Sequence, residues 1–291
     1  MSWTFEKVAG PFNFTEGPAW DGAALLFTDI PTSRIMRYDP QSGQTTEFRT
    51  GTNQANGLMF DKAGNLYACE GSGRRMARYN ADGSTDVIVD RFEGKRLNSP
   101  NDLAFDQLGR MWFTDPRYGD DESDLELDHQ SVYRADPEPD GSWQVQRVTY
   151  DATKPNGLLV TRDMKWLYVA QSHYGDGNAR ELRAYPINDD GSVGQYQVRH
   201  TFYPHRGIDG MCLDVEGNII ATAGWEESGP GPMIYVFAPN GRVLETHPIP
   251  IDRPTNCTFG DADLQTLYVT AGGCLWRTRA ERKGYLIYPA V

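Results

Sequence analysis

The stretch PNDLAFDQLGRMWFTD (residues 100–115) decides the fold, because its grammar recurs along the chain. A polar residue and a small or acidic one precede an apolar run, a turn follows, and a second apolar run closes the unit. That is the pattern of a β-hairpin with Asp or Gly turn chemistry. The same order appears in TEGPAWDGAALLFTD (15–29), ANGLMFDKAGNLYAC (55–69), PNGLLVTRDMKWLYVA (155–170), IDGMCLDVEGNIIAT (208–222) and TNCTFGDADLQTLYVT (255–270). Further strand-like text follows most hairpins: RIMRYDP (34–40), RRMARYNADG (74–83), SVYRADP (131–137), ELRAYPINDDG (181–191) and MIYVFAPNGR (233–242). Six four-stranded units at spacings of about 40 to 55 residues describe an all-β, six-bladed β-propeller with a central channel, formed as one domain over residues 1–291. No segment holds a long 3.6-residue period. Ring closure predicts that the N-terminal strand WTFEKVAG supplies the outside of the last blade, which would otherwise keep a bare edge.

Composition narrows the function. The 291 residues carry a formal net charge of −12, with 39% hydrophobic and 12% aromatic residues, 30 Gly and 18 Pro. This suits a turn-rich globular protein, and an acidic surface without a basic cluster repels nucleic acid. Four cysteines (Cys69, Cys212, Cys257, Cys274) form no C-x-x-C pair, and the chain opens MSWTFEKVAG without an apolar leader or a run long enough for a membrane. A cytoplasmic protein without membrane partners, monomeric or weakly homo-oligomeric, is the expectation. The sequons at Asn13 and Asn256 carry no weight without a secretory route.

Superposing the hairpins, with a one-residue slip allowed, places Glu16, Asn56, Asn101, Asn156, Asp209 and Asn256 at one position of the inner strand. Any one of them reads as a turn former. Local turn chemistry does not demand a carboxylate or carboxamide in every blade, however, and inner-strand starts converge on the axis of a propeller. Hard oxygen donors in a ring suit calcium, magnesium or manganese, and the absence of His and Cys argues against a structural zinc site. Calcium is the first choice, with four of the six as direct ligands.

The ordered set FTEGPAW, RLNSPNDLAF, WFTDPRYG, KPNGLLV, GIDGMCLDVEGNI and RPTNCTFG resembles the senescence marker protein-30 (SMP-30)/gluconolactonase/luciferin-regenerating-enzyme (LRE) family over nearly the whole chain. Its wording is closer to the bacterial gluconolactonase branch. Ser99 stands where the animal branch is expected to have arginine, so substrate contacts of that branch do not transfer. The resemblance implies a divalent cation, calcium before zinc, magnesium or manganese, held at the positions matching Glu16, Asn156 and Asp209. Asn101 would face the cation or the substrate. It implies a hydrolase of sugar lactones, a small-molecule substrate. Asp209 is the candidate general base or water-orienting residue.

Asn98, Ser99, Tyr118 and His173 are candidate substrate contacts beside Asn101. His205 reads as a solvated loop histidine or a proton shuttle. Arg117 and the acidic run GDDESDLELD (119–128) belong to a loop over one face, where a charge run is ordinarily solvated. Asp29 and Asp115, at matching strand ends, read as structural turn contacts, and Cys257 as a small buried residue. No G-x-S-x-G elbow, Walker loop or dinucleotide fingerprint appears. Two other readings compete: a metal-dependent esterase or phosphotriesterase, since a hard cation polarises P=O as it does C=O, and a non-catalytic calcium-binding propeller.

Overall fold

A computed structural model describes residues 2–119 and 121–289. Asp120, within the acidic run, lies outside the described residues. Six antiparallel sheets stand around one axis, each with its first strand innermost. Blade 1 contains Thr15–Trp20, Leu25–Asp29, Arg34–Asp39 and Gln44–Thr50. Blade 2 contains Ala55–Phe60, Leu66–Glu70, Arg75–Tyr79 and Thr85–Val89, and blade 3 Leu103–Phe105, Met111–Asp115, Ser131–Pro137 and Trp143–Arg147. Blade 4 contains Pro155–Val160, Trp166–Ser172, Arg180–Pro186 and Gln197–Thr201. Blade 5 contains Ile208–Asp214, Ile219–Trp225, Ser228–Phe237 and Val243–Pro248, and blade 6 Pro254–Gly260, Thr266–Ala271 and Cys274–Arg279. The six-bladed propeller is therefore the architecture, and the only helical turn among the described residues is Ile30–Thr32. Among the described residues no helix is long and apolar enough to cross a membrane.

The sheets bury in layers. Second strands such as Leu25–Asp29, Leu66–Glu70 and Met111–Asp115 are buried at every residue, because neighbouring blades cover both of their faces. Outer strands such as Gln44–Thr50 are mostly exposed. The turns use the chemistry read from the sequence. In blade 2, Asp61 Oδ1 accepts the amides of Ala63 and Asn65, and in blade 5, Asp214 Oδ1 accepts those of Glu216 and Asn218. Gly64 and Gly217 take the left-handed conformation that ends these turns, with φ of 85° and 82°.

Glu6–Ala9 pairs with Cys274–Arg279 as the outermost strand of blade 6, so the ring closes with the N-terminal strand as expected. A second closure was not anticipated. Gly284–Tyr285 adds to the inner edge of blade 5 beside Leu213 and Asp214, and the chain continues across the end of the channel.

Candidate active site

The inner strands reach the axis with a local irregularity. In blades 2, 4 and 5 two residues, Asn56–Gly57, Asn156–Gly157 and Asp209–Gly210, stand opposite one residue of the second strand. Such bulges re-aim a side chain and are frequent beside active sites. Glu16 and Asn101 occupy the equivalent place in blades 1 and 3. Asn156 and Asp209 are only 5% and 8% exposed, and Glu16 4%.

Blade 6 corrects the expected ring. Counting back from Phe259, which pairs with Leu267 as Phe60 pairs with Leu66, the residue equivalent to Glu16 is Thr255 rather than Asn256. The Thr255 hydroxyl bonds to the Thr15 and Thr270 carbonyls at 2.8 and 2.9 Å, inside the sheet framework. Asn256 falls one residue on, where blades 1, 2, 4 and 5 have glycine and blade 3 has Asp102. These two form an inner layer: the Asn256 amide donates to Asp102 Oδ2 at 3.3 Å, joining opposite blades across the axis. The glycines make room for it, since a Cβ on Gly210 would strike the Asn256 side chain and one on Gly57 would sit 2.6 Å from Asp102 Oδ1.

Electrostatics bind the layers into one cluster. Burial, then repulsion by Asp209 and Asp102, pushes the Glu16 carboxyl well above the usual carboxylate range, although the Gly17 amide and Asn256 bond to it. Burial is also the main cause that lifts Asp102, to about 7, against bonds from the Leu103 amide and Asn256. Asp209 is raised by burial and opposed by the Arg206 guanidinium and the Asn156 amide. Arg206, itself buried, donates to Asp209 Oδ2 and, from its other nitrogen, to the carbonyls of Gly224 and Pro254 at 3.0 and 3.1 Å. Three buried carboxylates thus face a single buried guanidinium.

The remaining expected site residues divide. Tyr118 joins the cluster: its phenol donates to the Ser172 carbonyl at 3.4 Å and lies beside Asn156 and Asp209. His173 does not: its Nδ1 accepts the Gly175 amide and its charged neighbours are Lys154, Glu122 and Arg180. The next residue, Tyr174, enters instead: its phenol lies close enough to Arg206 and Asp209 to feel their charges, and the residue is 38% exposed. Asn98 has no exposed surface, contrary to a role in touching substrate. Its amide nitrogen is held by the Asp115 and His129 carbonyls at 3.1 and 2.9 Å. Ser99 is half-buried and bonds the Gly71 carbonyl at 3.3 Å, and the half-buried Asn101 exchanges backbone bonds with Thr114 and Gly57. His205 is half-buried in the Phe202–Arg206 turn.

Sequence reasoning missed Asp102, Arg206 and Tyr174. Asp102 was legible, since an ungapped alignment of TEGPAW, PNDLAF and PTNCTF puts it and Asn256 on the glycine column. Arg206 and Tyr174 lie in loops that carry no repeat.

Below the inner layer lies a chamber of about 100 Å³ lined by Asp102, Asn256, Leu158, Met211 and Cys212 and closed by residues 285–288. The larger hollow, about 1100 Å³, lies on the outer side near Trp3 and Arg282, away from this cluster. Its Arg282 is already paired with Asp214 and Glu245.

Residues 14–273 match the description SMP-30/Gluconolactonase/LRE-like region. The chain belongs to this family. A gluconolactonase of Zymomonas mobilis is 30% identical over 98% of this chain and 83% of its own length. The solved gluconolactonase of Xanthomonas campestris superposes with a TM-score of 0.82 at 34% identity, covering 95% of this chain and 89% of that one. A calcium-binding regucalcin of Agrobacterium tumefaciens shares the fold, with a TM-score of 0.76 at 18% identity and coverage of 98% and 96%.

The SMP-30/gluconolactonase kinship implies a divalent cation, and the donor set fits one. Buried carboxylates that repel one another are relieved by a dication, and carboxamides add neutral oxygens. Among the described residues no three His, Cys, Asp or Glu side chains group closely enough to hold an ion alone, so the carboxamides are needed.

Proposed function

We propose that this protein is a divalent-metal-dependent hydrolase that opens sugar lactones, of the aldonolactone kind. The observation that carries the reading is the buried convergence of Glu16, Asn156 and Asp209, with its excess of negative charge, in a chain whose relatives include gluconolactonases. Glu16, Asn156 and Asp209 would hold the cation, with Asn101 completing the set or meeting the substrate, and calcium is the first choice. When bound, the cation supplies Lewis acidity that polarises the lactone carbonyl and acidifies water.

The chain's own groups do the rest. Asp209 orients the attacking water and takes its proton. Arg206 occupies one oxygen of that carboxylate, fixing its orientation and favouring its ionised form. Asn156 stands between Tyr118 and Asp209, where its carboxamide can meet either group. Asn101 binds a lactone oxygen without adding charge. Asp102 and Asn256 close the floor beneath these groups.

The test measures acid release from glucono-1,5-lactone and related aldonolactones after chelation and after restoring single cations. Activity should vanish on chelation and return with the preferred ion. Glu16→Gln and Asp209→Ala should fold normally and lose most turnover or cation affinity. Full activity in both variants, or no cation-dependent rate on any lactone, would overturn the proposal.

A further inference from the structure

Two of the four free cysteines meet. Cys212 and Cys257 sit on the inner strands of blades 5 and 6, Ile208–Asp214 and Pro254–Gly260, with their sulfurs 3.6 Å apart. Both line the chamber beneath the candidate site. The two backbones approach closely at this level, since a Cβ on Gly210 would strike the Asn256 side chain. A disulfide needs Cα atoms within about 7 Å and sulfurs about 2 Å apart. Sulfurs already in contact across closely packed strands reach that distance by small side-chain rotations. Among the described residues no third His, Cys, Asp or Glu groups with them to hold a metal, so a bond between the sulfurs is the chemistry left to the pair.

The hydrogens give the pair a direction. The single S–H of Cys257 donates to the Ile220 carbonyl at 3.5 Å, so the hydrogen between the two sulfurs belongs to Cys212. Cys257 is buried and Cys212 half-buried, with the chamber beside it. Cys212 is therefore the sulfur that an oxidant meets first, and Cys257 the one that closes the bond. The chamber also selects the oxidant. At about 100 Å³ it holds a molecule little larger than water and excludes a peptide disulfide such as oxidised glutathione. The acidic cluster of Glu16, Asp102 and Asp209 above it disfavours anions.

We infer that Cys212 and Cys257 are an oxidation site, a dithiol that hydrogen peroxide converts to a disulfide stapling blade 5 to blade 6. The site is independent of the lactonase reading. The Cys212 sulfur attacks one peroxide oxygen, the O–O bond breaks, and the other oxygen leaves as water with the thiol proton, giving a sulfenic acid. The Cys257 sulfur then displaces the hydroxyl from the Cys212 sulfur, which leaves as a second water with the Cys257 proton. Two thiols lose two electrons and one peroxide gains them. Burial pushes the Cys212 thiol well above its ordinary range, and Cys257 and Asp214, the latter paired with Arg282, act in the same direction. Thiolate is scarce at neutral pH, so oxidation is slow there and should quicken about tenfold for each pH unit above it. The bond joins residues 45 apart in the chain, at the blade whose outermost strand comes from the N-terminus. That blade is held in the ring by packing and strand pairing, so a covalent link restricts the unfolded chain and leaves the fold as it is.

The protein is treated at mildly alkaline pH with hydrogen peroxide or with oxidised glutathione, unfolded in iodoacetamide, digested and weighed by mass spectrometry. Peroxide should give a peptide pair linked through Cys212 and Cys257, two hydrogens lighter than the reduced peptides, with Cys69 and Cys274 still alkylated. Glutathione disulfide should leave all four thiols free. The melting temperature of the peroxide-treated protein should rise by about 5 °C. Cys257→Ser should stop at the Cys212 sulfenic acid, trapped by dimedone on unfolding, and Cys212→Ser should leave Cys257 reduced. Neither variant should melt higher after peroxide, and Cys212→Ala and Cys257→Ala replace them if the serine variants misfold. Four free thiols in a protein whose exposed methionines peroxide has already oxidised would overturn the site. Linkage as fast with oxidised glutathione as with peroxide would overturn selection by the chamber, and linkage without a change in melting would overturn the staple.

Discussion

Asp29 accepts hydrogen bonds from the amides of Asn13 and Phe14, the Asn13 side chain, the Thr32 hydroxyl and Arg34, and is fully buried. Asp115 does the same for the amides of Asn98 and Ser99, both at 2.8 Å, and Gln171 accepts that of Thr153 at 3.1 Å. These strand-end residues hold the loops that lead into Glu16, Asn101 and Asn156, so they position the site without touching it. Burial alone would raise the Asp29 carboxyl, but the bonds from Thr32, Phe14, Asn13 and Arg34 outweigh it and hold it below the ordinary value. A carboxyl with a lowered folded pKa stabilises the fold above the carboxylate range near pH 4 and loses that contribution as pH falls through it. Asp29→Asn, which resembles the protonated acid, should cost about 2 kcal/mol at neutral pH. The gap to the parent should close on acidification, as chemical denaturation at several pH values would show. Asp29 and Asp115 were readable as structural from their matching positions. The burial of Asn98 was not, because nothing in NSPND (98–102) shows which side of the loop faces inward.

At the scale of strands, the bulges explain why asparagine or aspartate followed by glycine recurs. The first residue is turned toward the axis, and the second must let the next blade approach. A Cβ on Gly157 would lie 2.3 Å from the Asp209 carbonyl oxygen, which belongs to a rigid inner strand. Gly157→Ala should therefore destabilise the protein by about 2 kcal/mol and displace Asp209, lowering turnover as well as the melting temperature. A variant with unchanged melting would show that the blades can separate. The turns of blades 2, 3 and 5 were legible, since Asp-x-x-Gly states its own hydrogen bonds; in blades 4 and 6 Met164 and Leu264 take the left-handed place of the glycine, with φ of 56° and 53°. The bulges were half legible: the motif was visible, but allowing a slip in blade 6 hid the second layer of Asp102 and Asn256.

Across the whole molecule, the segment after Lys283 touches every blade. It pairs with Leu213 and Asp214, bonds Gln107 through Tyr285, passes 5.6 Å from Arg162 at the same ring, and stacks Tyr288 on Phe60 at 5.5 Å. Gly284 lies against Phe259, and Pro289 against the Gly22 turn. It closes the channel opposite the candidate site. Ending the chain at Lys283 should cost about 3 kcal/mol, because it removes Leu286 and Ile287 from the apolar clusters they cover, and should admit dye to the channel. An unchanged melting temperature would mean the plug is not part of the stable ring. No repeat announces this segment, so periodicity could not place it. The sequence by itself determined the six-fold repeat, the strand order within each blade and the polar column on the inner strands, because alternation and turn chemistry are local and are written six times over. Only the tertiary structure decided which polar residues meet: Asp102 with Asn256, Arg206 with Asp209, Tyr118 and Tyr174 above them. Those contacts join blades far apart in the chain, and the loops that supply Arg206, Tyr118 and Tyr174 follow no period.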